Sequence, residues 1–485
     1  MPSLVHIENF GCRAARADGE AIAALLRTAG VHESHTPDAD VVIVNTCSVT
    51  AEADREARAY IRRAHRLNPA ARIIATGCYA QRAPEELAAI PGVSAVIGNS
   101  HKALVPEIAL GLMNADSSTS GDHGLIQIHA AQSVEALPQM VLADDTFAHS
   151  FLAAPITLGT QTRPNLKIQE GCSNRCSFCV IPQTRGNSRS LSAESVLSHV
   201  SSFLSAGGNE LVLSGINLGR WGRDLNQPTS SIRTLAALVR TIIEQTNLPR
   251  LRLSSIEPMD WDPALIGLMA EYGGTRLARH AHLPLQSGSD SVLRRMHRRY
   301  RPWHYAEKVA ALLSAAGPAL TLGADVMVGF PGETDREFEE THDFIRGLPF
   351  GYLHLFPFSP RPGTRAFELH AESPVPTAIV NERMSVLRAL ATEKAHNHRR
   401  QFINTELDAI TLHTPAALSS ARRTSALSEN FLTVDIAGSL PPNQLVQLRV
   451  TALAADNTLL AVPVSFADKT NSQFGLYPVL SEAIL

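Results

Sequence analysis

Three cysteines stand at C-x3-C-x2-C spacing in Gly171-Cys172-Ser173-Asn174-Arg175-Cys176-Ser177-Phe178-Cys179, with an aromatic residue just before the last. Thiolates that close in sequence suit three corners of a [4Fe–4S] cube held on one loop, since cysteine is the usual ligand and four would complete the shell. No fourth cysteine lies nearby, so one iron is left open to another ligand. The competing reading is a zinc knuckle. Structural zinc takes four ligands and its motifs usually pair cysteines two by two, so the cluster reading is the stronger.

The chain holds six cysteines, and the other three, Cys12, Cys47 and Cys78, are informative by their settings. His6 to Phe10 reads as a short strand, followed by Gly11-Cys12 and an alanine-rich helix from about Gly19 to Ala29. Asp40 to Thr46 and Arg72 to Gly77 read as buried parallel strands, because their apolar runs are continuous. Cys47 and Cys78 follow them directly, each with a helical stretch after it. The carboxyl ends of parallel strands share one edge, where α/β sheets build their sites. Cysteine is also a common buried apolar residue. Three in the same topological position favour a second cluster with three protein ligands and one open iron.

At 485 residues the chain exceeds one ordinary domain. Its 44% hydrophobic and 18% charged residues are those of a soluble globular protein. The first residues lack a basic region followed by an apolar one, so no signal peptide is read. No apolar run approaches the ~18–20 residues of a membrane span. A net charge of −3 means that nucleic-acid contact must come from local patches. The expected location is cytoplasmic, and the expected fold class is α/β.

Four segments are expected: an N-terminal parallel α/β cluster-binding domain at 1–102, a linker at 103–162, a partial (β/α)6 barrel with a linking helix at 163–400, and a small C-terminal all-β OB-like domain at 405–470. In the turn-rich linker His123, His129 and His149 read as solvent-exposed. The barrel rests on six strand-like runs, beginning at Leu166, Asn209, Leu251, His280, Leu322 and Tyr352, and its site should lie at the strand carboxyl ends. The basic run Leu293-Arg294-Arg295-Met296-His297-Arg298-Arg299-Tyr300-Arg301 reads either as a solvated helix face or as a phosphate-contacting patch with Tyr300 free to stack on a base. Arg62, Arg63 and Arg66 read as solvated.

The cysteine loop resembles that of the radical S-adenosylmethionine (SAM) superfamily. Phe10-Gly11-Cys12-Arg13, Asn45-Thr46-Cys47-Ser48-Val49-Thr50 and Thr76-Gly77-Cys78 resemble the N-terminal domain of its methylthiotransferases, closest to the MtaB type, which acts on threonylcarbamoyladenosine in tRNA. Ala15 stands where that family usually has an asparagine, which leaves the cysteines untouched. The resemblance covers about 1–100 and 163–470, the last part resembling a TRAM domain.

It implies two [4Fe–4S] clusters, one on Cys12, Cys47 and Cys78, the other on the catalytic Cys172, Cys176 and Cys179, with SAM on the open iron of the second. One SAM would yield a 5′-deoxyadenosyl radical and another the methyl group, and the first cluster would carry the sulfur. The product would be C–S–CH3 at C2 of the modified adenosine beside the anticodon. SAM contacts implied by the family motifs are Phe178, Gly208, Glu210 (for the methionine ammonium), Asn217, Ser255, Glu257, Gln286, Asp325 and Arg294 (for the carboxylate). Arg13, Arg185 and Arg189 are candidates to pair with the threonyl carboxylate. Partners implied are tRNA and a low-potential, flavodoxin- or ferredoxin-like electron donor; the sulfur donor stays open and no membrane is involved. The alternatives are isopentenyladenosine or a ribosomal-protein aspartate as substrate, or a two-cluster electron carrier or RNA-binding protein without SAM chemistry.

Overall fold

Runs of β-branched residues bounded by Gly and Asn give the first sheet. Its strands are β1 (Leu4–Asn9), β2 (His32–Glu33), β3 (Val41–Thr46), β4 (Arg72–Gly77), β5 (Val93–Gly98) and β6 (Met140–Leu142), in the order β2-β1-β3-β4-β5-β6. All neighbours run parallel. Every residue of β3 is buried, as expected for a central strand covered on both faces. The helices are α1 (Arg13–Thr28), α2 (Ala51–Leu67), α3 (Cys78–Arg82), α4 (Pro84–Ala88) and α5 (Val105–Asn114). The Thr50 hydroxyl accepts from Ala53 N and caps α2.

The structure, a computed structural model, describes residues 3–114, 140–147, 150–151, 161–225 and 232–464. Two expectations change here. Helix α1 begins at Arg13, well before Gly19, because Ala14, Ala15, Ala17 and Asp18 are buried against protein. The linker does not begin at 103: α5 packs on the first sheet and β6 pairs with β5, so both belong to that domain. The linker stretch 115–124 and His123, His129 and His149 lie outside the described residues.

The second sheet system starts with β7 (Asn165–Glu170), which leads into the cysteine loop and α6 (Ile181–Arg185). It continues with β8 (Arg189–Ser190), β9 (Glu210–Gly215), β10 (Arg250–Leu253), β11 (His280–His282), β12 (Thr321–Val328) and β13 (Phe350–Pro357). Strands order as β10-β9-β7-β8 and β11-β12-β13, and the parallel bridge Ser255↔His282 joins the two sets. Six parallel strands thus follow in chain order, and β8 is an antiparallel partner of β7. Buried Trp221, Trp261 and Phe203 fill the core beneath the outer helices; truncating such a side chain to alanine costs about 3–5 kcal/mol. Helix Asp335–Gly347 opens with a capping box between Thr334 and Glu337. All of this belongs to one compact unit, Met1–His398.

The second unit begins at Arg399. Within it β14 (Glu406–Thr411), β15 (Arg423–Ser428), β16 (Thr433–Ala437), β17 (Leu445–Leu453) and β18 (Leu459–Pro463) close a barrel in the order β14-β15-β16-β18-β17. Val434, Ile436, Leu448 and Val450 point inward and alternate with outward residues, as in a small OB-like barrel. Among the described residues no helix is long and apolar enough to cross a membrane.

Candidate active site

Strands β1, β3 and β4 end on one edge, with Asn9 opposite Asn45 and Thr46 opposite Gly77. Cys12 precedes α1, Cys47 follows β3 and Cys78 opens α3, so the edge gathers all three. Asn45 donates to the Ala15 carbonyl (2.6 Å) and to Asn9 Oδ1 (3.0 Å). Burial, then the neighbouring thiols of Cys78 and Cys12, push the Cys47 thiol up to about 12. Donors are already aimed at these sulfurs: Val49 N at Cys47 (3.5 Å), Asn99 Nδ2 at Cys78 (3.3 Å) and Arg185 Nε at Cys78 (3.3 Å).

The second set sits above β7. Its loop is pinned by Cys172 N to the Gly186 carbonyl and by Ser177, whose N–H and Oγ donate to the Met296 and Arg295 carbonyls. Burial and Cys176 push the Cys179 thiol up to about 12. Burial also raises Cys172, against the N–H of Asn174 and the side chain of Asn217. Asn217 Nδ2 lies 3.5 Å from Cys172 Sγ and Arg298 Nη1 3.3 Å from Cys176 Sγ. Arg298 also holds Glu257, which is partly exposed beside the loop. Burial works against the Arg298 charge; Glu257, Tyr300 and Cys176 outweigh it and hold the guanidinium well above its ordinary value.

Among the described residues, the one group of three metal-ligating atoms within 4.8 Å of one another is His282, Asp325 and His354; neither cysteine triad closes to that spacing. A tetrahedral zinc with sulfur at about 2.3 Å would need its sulfurs about 3.8 Å apart. In each cysteine triad at least one pair of sulfurs is wider than that. Sulfur-only ligands with hydrogen-bond donors aimed at them fit an anionic iron–sulfur cluster.

The two sets are tied together. Arg185, six residues past Cys179, reaches Cys78, and Asn99 Nδ2 spans Cys78 Sγ and the Thr184 carbonyl (2.9 Å). Arg361 also holds Asp54 of α2 (2.7 Å), and Ser359 Oγ accepts from Ala51 N (3.0 Å).

The expected SAM contacts divide. Asn217 and Gln286 are buried, and their Oδ1 and Oε1 have no hydrogen-bond partner. Gln286 holds a left-handed backbone (φ +64°) four residues past β11, where it bridges Val326 of β12. Ser255 Oγ meets His282 Nδ1 at 2.9 Å, and Phe178 packs half-buried on the barrel core. Asp325 lies inside the barrel between His282 (3.4 Å) and His354 (3.2 Å), which hold it below the usual carboxylate range despite burial. Arg13 is open to solvent yet has Arg252, Tyr352 and Asp325 around it, as in a hollow.

Other expectations are corrected. Glu210 opens β9, about 17 Å of strand from its carboxyl end. It is fully buried and paired with Arg163 (3.1 Å), Arg250 (3.4 Å) and Arg252 (2.7 Å). Burial alone would raise it, but the three guanidiniums hold it at about 2, so no charge is left for a ligand's ammonium. Gly208, in the turn before it, is at the same wrong end. Arg294 is exposed and pairs with Asp290 on its own helix. Tyr300 is buried, its hydroxyl 2.7 Å from the Pro284 and Leu285 carbonyls, so it stacks on nothing from solvent. Arg295 and Arg301 pair with Glu337 and Asp290, which removes most of the phosphate patch. Arg185 is sealed between Asp18 (3.1 Å) and Glu170 (2.7 Å), and Arg189 lies on Phe147 and the Arg185 carbonyl. Neither is available to a substrate carboxylate. The residue that sequence reasoning missed is Arg298: helix Asp290–Arg295 ends, His297 turns left-handed (φ +56°), and the chain swings Arg298 inward.

Residues 4–98 match the family described as Uncharacterized protein family UPF0004, and residues 166–345 match the Radical SAM superfamily. The chain is 36% identical over 408 residues to the threonylcarbamoyladenosine tRNA methylthiotransferase MtaB of Bacillus subtilis (strain 168), covering 84% of each. Its identity to the protein of that name from Aquifex aeolicus (strain VF5) is 31%, over 92% of this chain and 100% of the relative. A tRNA-2-methylthio-N(6)-dimethylallyladenosine synthase from Geobacter metallireducens is 34% identical, over 76% of this chain and 78% of the relative. In fold the chain is similar to the radical SAM methyltransferase TsrM from Kitasatospora setae, with TM-score 0.51 and 16% identity over 77% of this chain and 78% of that one.

Proposed function

The chain belongs to the radical SAM methylthiotransferase family, and from that premise we propose that it converts N6-threonylcarbamoyladenosine beside the anticodon of tRNA to the 2-methylthio derivative. The observation that carries the reading is the pair of cysteine triads, each open at one ligand, on the strand ends of two α/β sheets and tied together by Arg185 and Asn99. When bound, two [4Fe–4S] clusters and SAM would supply an electron, a radical able to break an unactivated C–H bond, sulfur and a methyl group.

The chain's part is placement. Cys12, Cys47 and Cys78 would hold the first cluster, and Cys172, Cys176 and Cys179 the second. Arg298 and Asn217 donate to sulfurs of the second set. The unpartnered acceptors Asn217 Oδ1 and Gln286 Oε1, with Glu257, are the groups proposed to receive the SAM amino group, in place of Glu210. Ser255, Phe178 and Asp325 stay candidates for the remaining SAM contacts. Inside the barrel Asp325, His282, His354 and Tyr352 make a polar lining, which suits the carbamoyl and carboxylate of the threonylcarbamoyl arm better than an isopentenyl chain. Of Arg13, Arg185 and Arg189, Arg13 alone is exposed, and it is the one proposed to meet that carboxylate. The domain divisions, with the first now including α5 and β6, tRNA binding by the OB-like barrel as a TRAM domain, a flavodoxin- or ferredoxin-like donor and a cytoplasmic location complete the proposal.

The test is mass spectrometry of tRNA nucleosides from a deletion strain, joined to turnover of tRNA carrying either modified adenosine. Loss of the 2-methylthio form of threonylcarbamoyladenosine supports the reading. Turnover of the isopentenyladenosine tRNA alone would move the chain to the substrate of the Geobacter relative.

A further inference from the structure

Five ionisable side chains are buried together where α1, α6 and β7 meet: Asp18, Glu170, Lys102, Lys167 and Arg185. Lys102 Nζ is 2.9 Å from Asp18 and 2.8 Å from Glu170, and Lys167 joins the same two carboxylates. Three cations face two anions, so one positive charge is in excess in a place with almost no solvent. Such an excess is costly unless a further anion lies against it. The group in position is Cys78 Sγ, 3.3 Å from Arg185 Nε. A neutral thiol there leaves the excess standing, whereas a thiolate held by a cluster cancels it. Asn99 adds a neutral donor to the same sulfur and is itself held by the Thr184 carbonyl. Arg185 Nη2 is a buried donor with no hydrogen-bond partner, on the same guanidinium.

We propose that Arg185 is a positioning residue for the first cluster, setting its reduction potential through Cys78 and, with Asn99, fixing it to the loop that carries the second. The inference rests on the two-cluster reading above. One-electron reduction by a low-potential carrier adds a negative charge to the cluster. Donors to its sulfurs stabilise that charge and raise the potential. A charged donor does so more than a neutral one.

Arg185→Gln tests this without wrecking the fold, because it leaves two lysines against two carboxylates and the buried charge balanced. Asn99→Ala removes the neutral donor and leaves the five charges intact. Both variants of the reconstituted full-length protein are taken through iron analysis and a potentiometric titration followed by electron paramagnetic resonance, with the second cluster identified by its response to added SAM. The expected result is about eight irons in each, two cubes of four, and a lower potential for the first cluster, more so for Arg185→Gln. The potential of the second cluster should not move. An unchanged first-cluster potential in either variant that keeps its iron overturns the proposal. Loss of both clusters from Arg185→Gln also overturns it, since that marks a general structural role. Loss of the first cluster alone supports the anchoring. If the unaltered protein holds only one cluster, the two-cluster reading fails before this one is reached.

Discussion

Gly11→Ala should remove the first cluster while leaving the second in place. Gly11 holds φ +98°, and a Cβ added there would lie 2.5 Å from both Cβ and Sγ of Cys47. Ordinary carbon contacts begin near 3.5 Å, so Cys47 would have to retreat by about 1 Å. Metal–sulfur bonds of about 2.3 Å tolerate only about 0.2 Å, so the retreat breaks a ligand bond. The energetic cost joins about 1–2 kcal/mol for the left-handed backbone to about 1–3 kcal/mol for the overlap. Gly30→Ala is the control. Its φ is +84°, but a Cβ there meets nothing within 4 Å, so it carries the backbone cost alone. Iron analysis after anaerobic reconstitution should give about four irons for Gly11→Ala and about eight for Gly30→Ala, with SAM cleavage to 5′-deoxyadenosine retained in both. Eight irons in Gly11→Ala, or equal loss in both variants, would refute the reasoning.

Replacing Cys172, Cys176 and Cys179 together by Ala should lower the iron content from about eight to about four and abolish SAM cleavage; unchanged iron would sink the ligand assignment. Cys47→Ala should keep cleavage to 5′-deoxyadenosine but give no methylthio product, which chromatography of both products in one reaction decides. Arg298→Ala strips the charged donor from Cys176 and leaves Glu257 unpaired, so SAM cleavage should fall by at least tenfold at retained iron content. Cluster loading needs thiolates, and burial pushes the Cys47 and Cys179 thiols up to about 12. Apparent affinity for iron and sulfide should therefore keep rising between pH 8.5 and 9.5, where ordinary thiols, ionising near 8.5, would begin to level off; a plateau measured by absorbance titration would count against the burial of those two sulfurs.

Much of this was legible from residue order alone. Strands such as Val41–Thr46 and Arg72–Gly77 announce themselves because both faces are apolar, and the cysteines follow from their ends. Failures came where a residue's partner is far off in sequence. Asp18 and Arg16 make the start of α1 look like a solvated turn, yet Asp18 faces Lys167, 149 residues later. Strand β6 has three residues, too few to show a period, and is fixed only by pairing with β5. Glu210 and Arg294 matched short motifs, which record order but not the end of a strand or the side of a helix. Arg298 was hidden among like charges, because the left-handed turn at His297 takes it out of helical register. In the second unit β15, Arg-Thr-Ser-Ala-Leu-Ser, has too few apolar residues to stand out, and closure of the barrel supplies its order.

The bond from Arg185 to Cys78 spans 107 residues of chain. A ribosome adding about 5–20 residues per second needs about 5–20 s to cover that distance. Through that interval Cys12, Cys47 and Cys78 have been made, but the guanidinium that covers one of them has not. The first triad is therefore complete in sequence well before its buried charged donor exists, and that donor can reach Cys78 only after the cysteine loop of the barrel has been made.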